Sequence, residues 1–147
     1  MSNGVGIHII KRDGTSVPLD INKIHFVVEE ACEGLSNVSA SQVEMTANIQ
    51  FYDGMSTEEI QEILIKSSND LITLDNPNYQ YVAARLLLYP IYKETFGQYT
   101  PIPLTKIIDR NIDRGVYDPA FKVIYSQTEL KKLNSWIKHC RDENFTY

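Results

Sequence analysis

The chain has 147 residues, of which 43% are hydrophobic and 22% charged, which is the composition of one ordinary globular domain with room for a real core and a small appendage. No apolar run approaches the roughly eighteen residues of a membrane span, and Met1-Ser2-Asn3-Gly4 has neither the charged start nor the apolar stretch of a secretion signal, so a cytoplasmic location is expected. The net charge of −5 argues against the basic stripe of a nucleic-acid surface but leaves room for a nucleotide pocket, which needs only a few local cations.

Ile7-His8-Ile9-Ile10 runs into Lys11-Arg12-Asp13-Gly14-Thr15 and then Val17-Pro18-Leu19. Asp13-Gly14 between apolar stretches predicts a β-hairpin with a two-residue turn, whose central residues both take positive φ. Asp20 is a natural N-cap for a helix opening at Ile21, with Lys23 and Ile24 in its first turn. Ile24, Val28, Ala31 and Leu35 then recur as one apolar stripe. Ser41-x-x-Glu44 predicts a capping box for a short second helix that ends by Gly54, and Ser56-x-x-Glu59 a box opening a third. Ile60, Leu64, Ser67 and Leu71 share a face of that third helix. Asn76-Pro77 offers an N-cap followed by proline at the first helical position of a fourth. That helix carries Val82, Leu86, Tyr89 and Lys93 on one stripe and stops at Gly97. Pro90 lies inside it and cannot bond the Leu86 carbonyl, at a cost of about 3 kcal/mol if nothing compensates, so a kink is expected just before Lys93.

The predicted fold is therefore mainly α, a four-helix bundle capped by a small hairpin lid (α+β). Thr100-Pro101-Ile102-Pro103 cannot continue a helix and divides the chain into 1–99 and 100–147. Beyond it, about 105–114 and 127–141 read as two linker helices, the last capped by Ser126-x-x-Glu129. Leu130, Leu133 and Ile137 leave an apolar face there, with Trp136 and Phe121 nearby. Cys32 and Cys140 lie far apart without a C-x-x-C pair and read as reduced thiols rather than zinc ligands.

A hairpin that closes over a helix N-terminus, with cations beside free backbone N–H groups, is a place for phosphate. Lys11, Arg12 and Lys23 are the cations so placed. Taken alone, Lys11 and Arg12 fit equally well a solvated charge pair on an edge strand, Lys23 a surface residue, and Lys93 a cation at a helix C-terminus. Ile9, Ile24, Ile60 and Leu64 could be plain core, and Asp20 and Thr57 plain helix caps. His8, His25 and His139 have no ligand-like spacing and read as structural or surface residues.

The run K-R-D-G-T, L-D and K-I at Lys11–Ile24 resembles the opening of an ATP-cone, the nucleotide-sensing module at the front of ribonucleotide reductase large subunits. Gln50-Phe51-Tyr52-Asp53-Gly54 with Ser56-Thr57-Glu58-Glu59-Ile60, then Asn78-Tyr79-Gln80-Tyr81-Val82-Ala83-Ala84-Arg85-Leu86, then Phe96-Gly97-Gln98, resemble its later signatures. Gly115-Val116-Tyr117-Asp118 and the ending Arg141–Tyr147 are similar to the lead-in to the catalytic barrel of aerobic class I reductases.

The resemblance implies that Lys11, Arg12, Lys23 and Lys93 meet a triphosphate, that Ile9, Ile24, Ile60 and Leu64 line the base, and that Asp20, Thr57 and Gln61 lie near base and sugar. Val17 and Gln61 depart from the family pattern, which often has an acidic residue and a histidine there. The implied ligand is ATP or dATP with Mg²⁺, the first activating and the second inhibiting deoxyribonucleotide synthesis. The implied partners are the catalytic barrel of the large subunit and the small radical-generating subunit. The redox cysteine pair and radical cysteine of that chemistry have no counterpart here, so the chain is expected to regulate and not to catalyse. A zinc-ribbon repressor, which also contains an ATP-cone, would need a four-cysteine segment ahead of Ile7. The alternative function is a degenerate cone serving only as a helical docking module.

Overall fold

A computed structural model describes residues 6–147. Met1–Val5, which carried the expectation about a secretion leader, lie outside the described residues. The chain packs as two compact units, one running to Leu88 and taking in Asn144–Tyr147, the other Tyr89–Glu143. Pro101 and Pro103 thus fall inside the second unit.

In the first unit, β1 (His8–Ile10) is the middle strand of a three-stranded sheet between β2 (Ser16–Pro18) and β3 (Met55–Ser56). It pairs antiparallel with β2, Ile9 opposite Val17, and parallel with β3, Ile9 opposite Met55. β3 has two residues, too few for a period-2 pattern to announce it, so the expected hairpin lid is one part of a larger sheet.

The hairpin turn also differs from expectation. Gly14 has φ 83, but Asp13 is not among the positive-φ residues. Gly14 N donates to the Lys11 carbonyl (2.9 Å) and Lys11 N to the Thr15 carbonyl (2.9 Å), which makes a three-residue loop closed by a left-handed glycine. Asp13 stays out of the left-handed region because its carboxylate accepts from Thr15 N (2.9 Å), an Asx-type bond.

Four helices follow. α1 (Ile21–Cys32) opens where Asp20 accepts from Asn22 N, and it buries Ile24, Val28 and Ala31 as the stripe predicts. α2 (Ala40–Asn48) begins after Ser39 with no side-chain cap bond, so Ser41 lies inside the helix and the box predicted there does not form. The reason is visible at Glu44, whose carboxylate is taken by His25 Nδ1 of α1 at 2.7 Å. α3 (Thr57–Asp70) does open with the Ser56–Glu59 capping box.

α4 (Tyr79–Phe96) starts two residues beyond Pro77, after a turn in which Tyr81 N donates to the Asn78 carbonyl (3.0 Å). Tyr79 fixes that start. It is buried, its hydroxyl accepts from Ser39 N (3.0 Å) and donates to Gln42 Oε1 (2.8 Å), and it ties α4 to α2.

The core gathers Val28, Val43, Ala47, Met55, Leu64, Val82, Ala83 and Leu86 from all four helices and β3. The buried hydroxyls of Ser67 and Ser68 both have partners. Ser68 donates to the Leu64 carbonyl (2.9 Å), and Ser67 accepts from Gln50 Nε2 (3.2 Å).

In the second unit, α4 ends where Gly97 (φ 79) donates its N–H to the Lys93 carbonyl (3.0 Å). α5 (Leu104–Asp113), the one-turn α6 (Phe121–Ile124) and α7 (Gln127–Trp136) follow, then a 3₁₀ helix at His139–Asn144. α6 was not expected. The expected helix over 127–141 stops at Trp136 because Ile137 is extended (ψ 121). Proline at 103 leaves α5 without a side-chain cap, and Asn134 of α7 supplies one by accepting from Leu104 N (2.7 Å). Ile108 and Leu130 are buried, whereas Leu133, Ile137 and Trp136 are exposed, so only part of the predicted apolar face is covered. Among the described residues, no helix is long and apolar enough to cross a membrane.

Candidate functional site

The site is organised by the parallel β1–β3 pairing. Gly54 (φ 85) donates its N–H to the His8 carbonyl (2.8 Å), and Asp53 accepts from His8 N (2.7 Å). Together they dock the segment between α2 and α3 onto β1. The register then sets Ser56 opposite Ile10. Two residues further along each strand direction, Arg12 of the hairpin meets Glu58 in the first turn of α3, its Nε donating to Glu58 Oε1. The fold therefore brings Arg12 of the hairpin to the start of α3.

Their electrostatics are specific. The Arg12 guanidinium, then the backbone N–H and the Thr57 hydroxyl, hold the Glu58 carboxyl below its usual range. Glu59 is lowered too, first by the Ser56 N–H and then by the Tyr52 hydroxyl, which donates to it at 2.7 Å. Two carboxylates thus already balance the positive end of the α3 dipole. α1 has no acidic residue in its first turn, and only its cap Asp20 stands there. Lys23 lies 3.9 Å from Asp20, with its side chain extended into solvent. Of the starts of α1 and α3, that of α1 is the better disposed to an anion.

The other predicted residues separate by environment. Ile24, Ile60 and Leu64 are buried, and Ile9 is half-buried across from Val17. Lys11 is exposed at the strand end. Thr57 does not cap α3, since Ser56 does; its hydroxyl donates to Glu58 Oε2 (3.1 Å). Gln61, half-buried one turn after Thr57, donates from Nε2 to the Leu86 carbonyl (2.8 Å). Lys93 belongs to the second unit, where its ammonium stands 5.2 Å from the Tyr99 ring centroid, within cation–π range.

Sequence reasoning missed Glu58 and Asp53 as organising residues. The only signal was their place inside the second signature, because what they do depends on a strand pairing between segments far apart in sequence.

An open depression of about 700 Å³ lies elsewhere in this unit, between α1 and α2, lined by His25, Phe26, Glu29, Glu30, Cys32, Glu33, Ala40 and Ser41. Its three glutamates make it a poor seat for a triphosphate. Beside it, the Glu44 hydrogen bond raises the His25 pKa, and burial pushes the Cys32 thiol up to about 11, which keeps it protonated and unreactive.

A small three-stranded sheet beside a helical bundle, with Arg12 of the hairpin paired to Glu58 in the first turn of α3, makes the first unit a mainly α domain of the α+β class. Residues 7–94 match the ATP cone domain, and the chain belongs to that family, whose members are allosteric nucleotide-binding regulatory domains. It is 44% identical over 139 residues to the ribonucleoside-diphosphate reductase 1 subunit alpha of Salmonella typhimurium, and 42% identical over 139 residues to that of Escherichia coli; each alignment covers 95% of this chain and 18% of the relative. The subunit alpha of Enterobacteria phage T4 is 41% identical over 143 residues, 96% of this chain and 19% of that protein. The chain thus spans less than a fifth of the length of these relatives.

Proposed function

We propose that this cone is the activity switch of a ribonucleoside-diphosphate reductase large subunit, with ATP permitting turnover and dATP stopping it at the same site. Residues 1–99 form the cone and 100–147 the lead-in to a catalytic barrel that lies outside this chain. Lys11, Arg12 and Lys23 meet the triphosphate, whose oxygens carry the Mg²⁺, and Ile9, Ile24, Ile60 and Leu64 bound the slot for the base. Asp20 and Thr57 lie toward the sugar. The observation that supports this reading is the β1–β3 register, which sets Arg12 of the hairpin beside the first turn of α3 in a chain that matches the ATP-cone family. Lys93 enters from the resemblance as a fourth cation.

ATP and dATP differ by one hydroxyl, so discrimination rests on small local differences at the sugar. Coupling of about 1–3 kcal/mol per subunit is enough to bias an equilibrium among assemblies of large and small subunits. The two hairpin cations are exposed and fill no core, so replacing both tests the phosphate assignment cleanly. Lys11→Ala with Arg12→Ala is expected to abolish ATP binding while leaving the far-UV circular dichroism unchanged. Unaltered affinity in that variant would overturn the assignment.

A further inference from the structure

Pro90 sits inside α4, four residues after Leu86. Proline has no N–H, so the Leu86 carbonyl lacks its helical donor. Leu86 is fully buried, where an unpaired carbonyl is strongly disfavoured. The structure supplies the missing donor from another helix, since Gln61 Nε2 of α3 lies 2.8 Å from the Leu86 oxygen. Gln61 follows Ile60 directly and stands one helical turn from Thr57, so it occupies the same stretch of α3 as two of the residues assigned to the nucleotide.

We propose that Gln61 is a positioning residue, serving as the surrogate helix donor that Pro90 removes, and that it supports nucleotide binding through this bond and not by touching the nucleotide. Its second N–H and its carbonyl oxygen remain outside that bond, yet one engaged N–H already fixes the rotamer of the side chain. The Gln61–Leu86 bond holds α3 to α4 at the turn where the α4 ladder is interrupted. Position 61 and position 90 are consequently one functional unit, and the wrong residue at one is tolerated only with the right residue at the other. The nucleotide half of this proposal rests on the function proposed above; the Gln61–Pro90 pairing does not.

The test is a double-mutant cycle on the 147-residue chain with Gln61→Met, which keeps length and removes the donor, and Pro90→Ala, which restores a backbone N–H. With Pro90 in place, Gln61→Met should lower Tm by about 2–4 °C and shift the ¹³C resonance of the Leu86 carbonyl. In the Pro90→Ala background, both effects should largely vanish. Equal Tm losses in the two backgrounds would overturn the pairing. The same four proteins are then titrated with ATP. Gln61→Met should weaken binding several-fold when Pro90 is present and leave it nearly unchanged when combined with Pro90→Ala. An equal loss in both backgrounds would mean that Gln61 touches the nucleotide itself and would overturn the positioning role. Should the unsubstituted chain take up no ATP, the nucleotide reading fails, while the Tm and carbonyl readouts still decide the pairing.

Discussion

Glu58 is the residue whose neighbourhood most directly sets the strength of the proposed site. Its carboxylate holds Arg12, so an incoming triphosphate competes with a charge already in place. Both side chains are substantially exposed, so solvent screens the pair and it contributes little to folding. Its effect on an anion is larger in proportion, because it both occupies Arg12 and repels phosphate. Glu58→Gln should therefore tighten ATP binding by about two- to five-fold, as expected for releasing an exposed ion pair, with little change in Tm. Calorimetric titration of the variant checks this, and a weaker affinity would show that Glu58 contributes to binding. Ile24, Ile60 and Leu64 behave differently. They are buried in the core of the first unit, so substitutions there report on folding before they report on binding.

At the scale of elements, the capping boxes expected at Ser41 and Ser56 make a natural control pair. The box at Ser56 forms, with the Ser56 hydroxyl on Glu59 N (3.1 Å) and the Glu59 carboxylate on Ser56 N (2.7 Å). That at Ser41 does not, because Glu44 is drawn to His25. Ser56→Ala should cost about 1 kcal/mol in denaturant unfolding, whereas Ser41→Ala should be close to neutral; equal costs would contradict the difference between the two helix starts.

The contrast also shows what the sequence could carry. The Asp20 cap, the Ile24–Val28–Ala31 stripe, the Ser56 box and the Gly97 stop depend on residues within one or two turns of each other, and all were legible. The strand at Met55–Ser56, the Glu44–His25 bond and the donor that Gln61 offers Leu86 depend on which distant segments meet, and periodicity holds no record of that. The hairpin turn failed for a local reason. Asp13-Gly14 suits two turn types, and the Asp13 bond to Thr15 N decided between them. In the candidate site, the cations and apolar residues were nameable through their motifs. Glu58, which balances them, was not recognised, because only the parallel register places it beside Arg12.

At the scale of the molecule, one sheet and four helices give the cone its core, and the proposed ligand is asked only to change a balance. The chain carries a net charge of −5, so any attraction for a triphosphate has to be local, and Lys11, Arg12 and Lys23 are the cations proposed to supply it. Its match covers 18% of the length of the reductase alpha subunits it resembles. The central claim, that this cone holds a nucleotide, is tested most directly by calorimetric titration of the chain with ATP and then with dATP in the presence of Mg²⁺. Saturable binding of both, with dATP displacing ATP, is the predicted result. Absence of binding heat from either nucleotide would contradict the account and leave the cone a structural module.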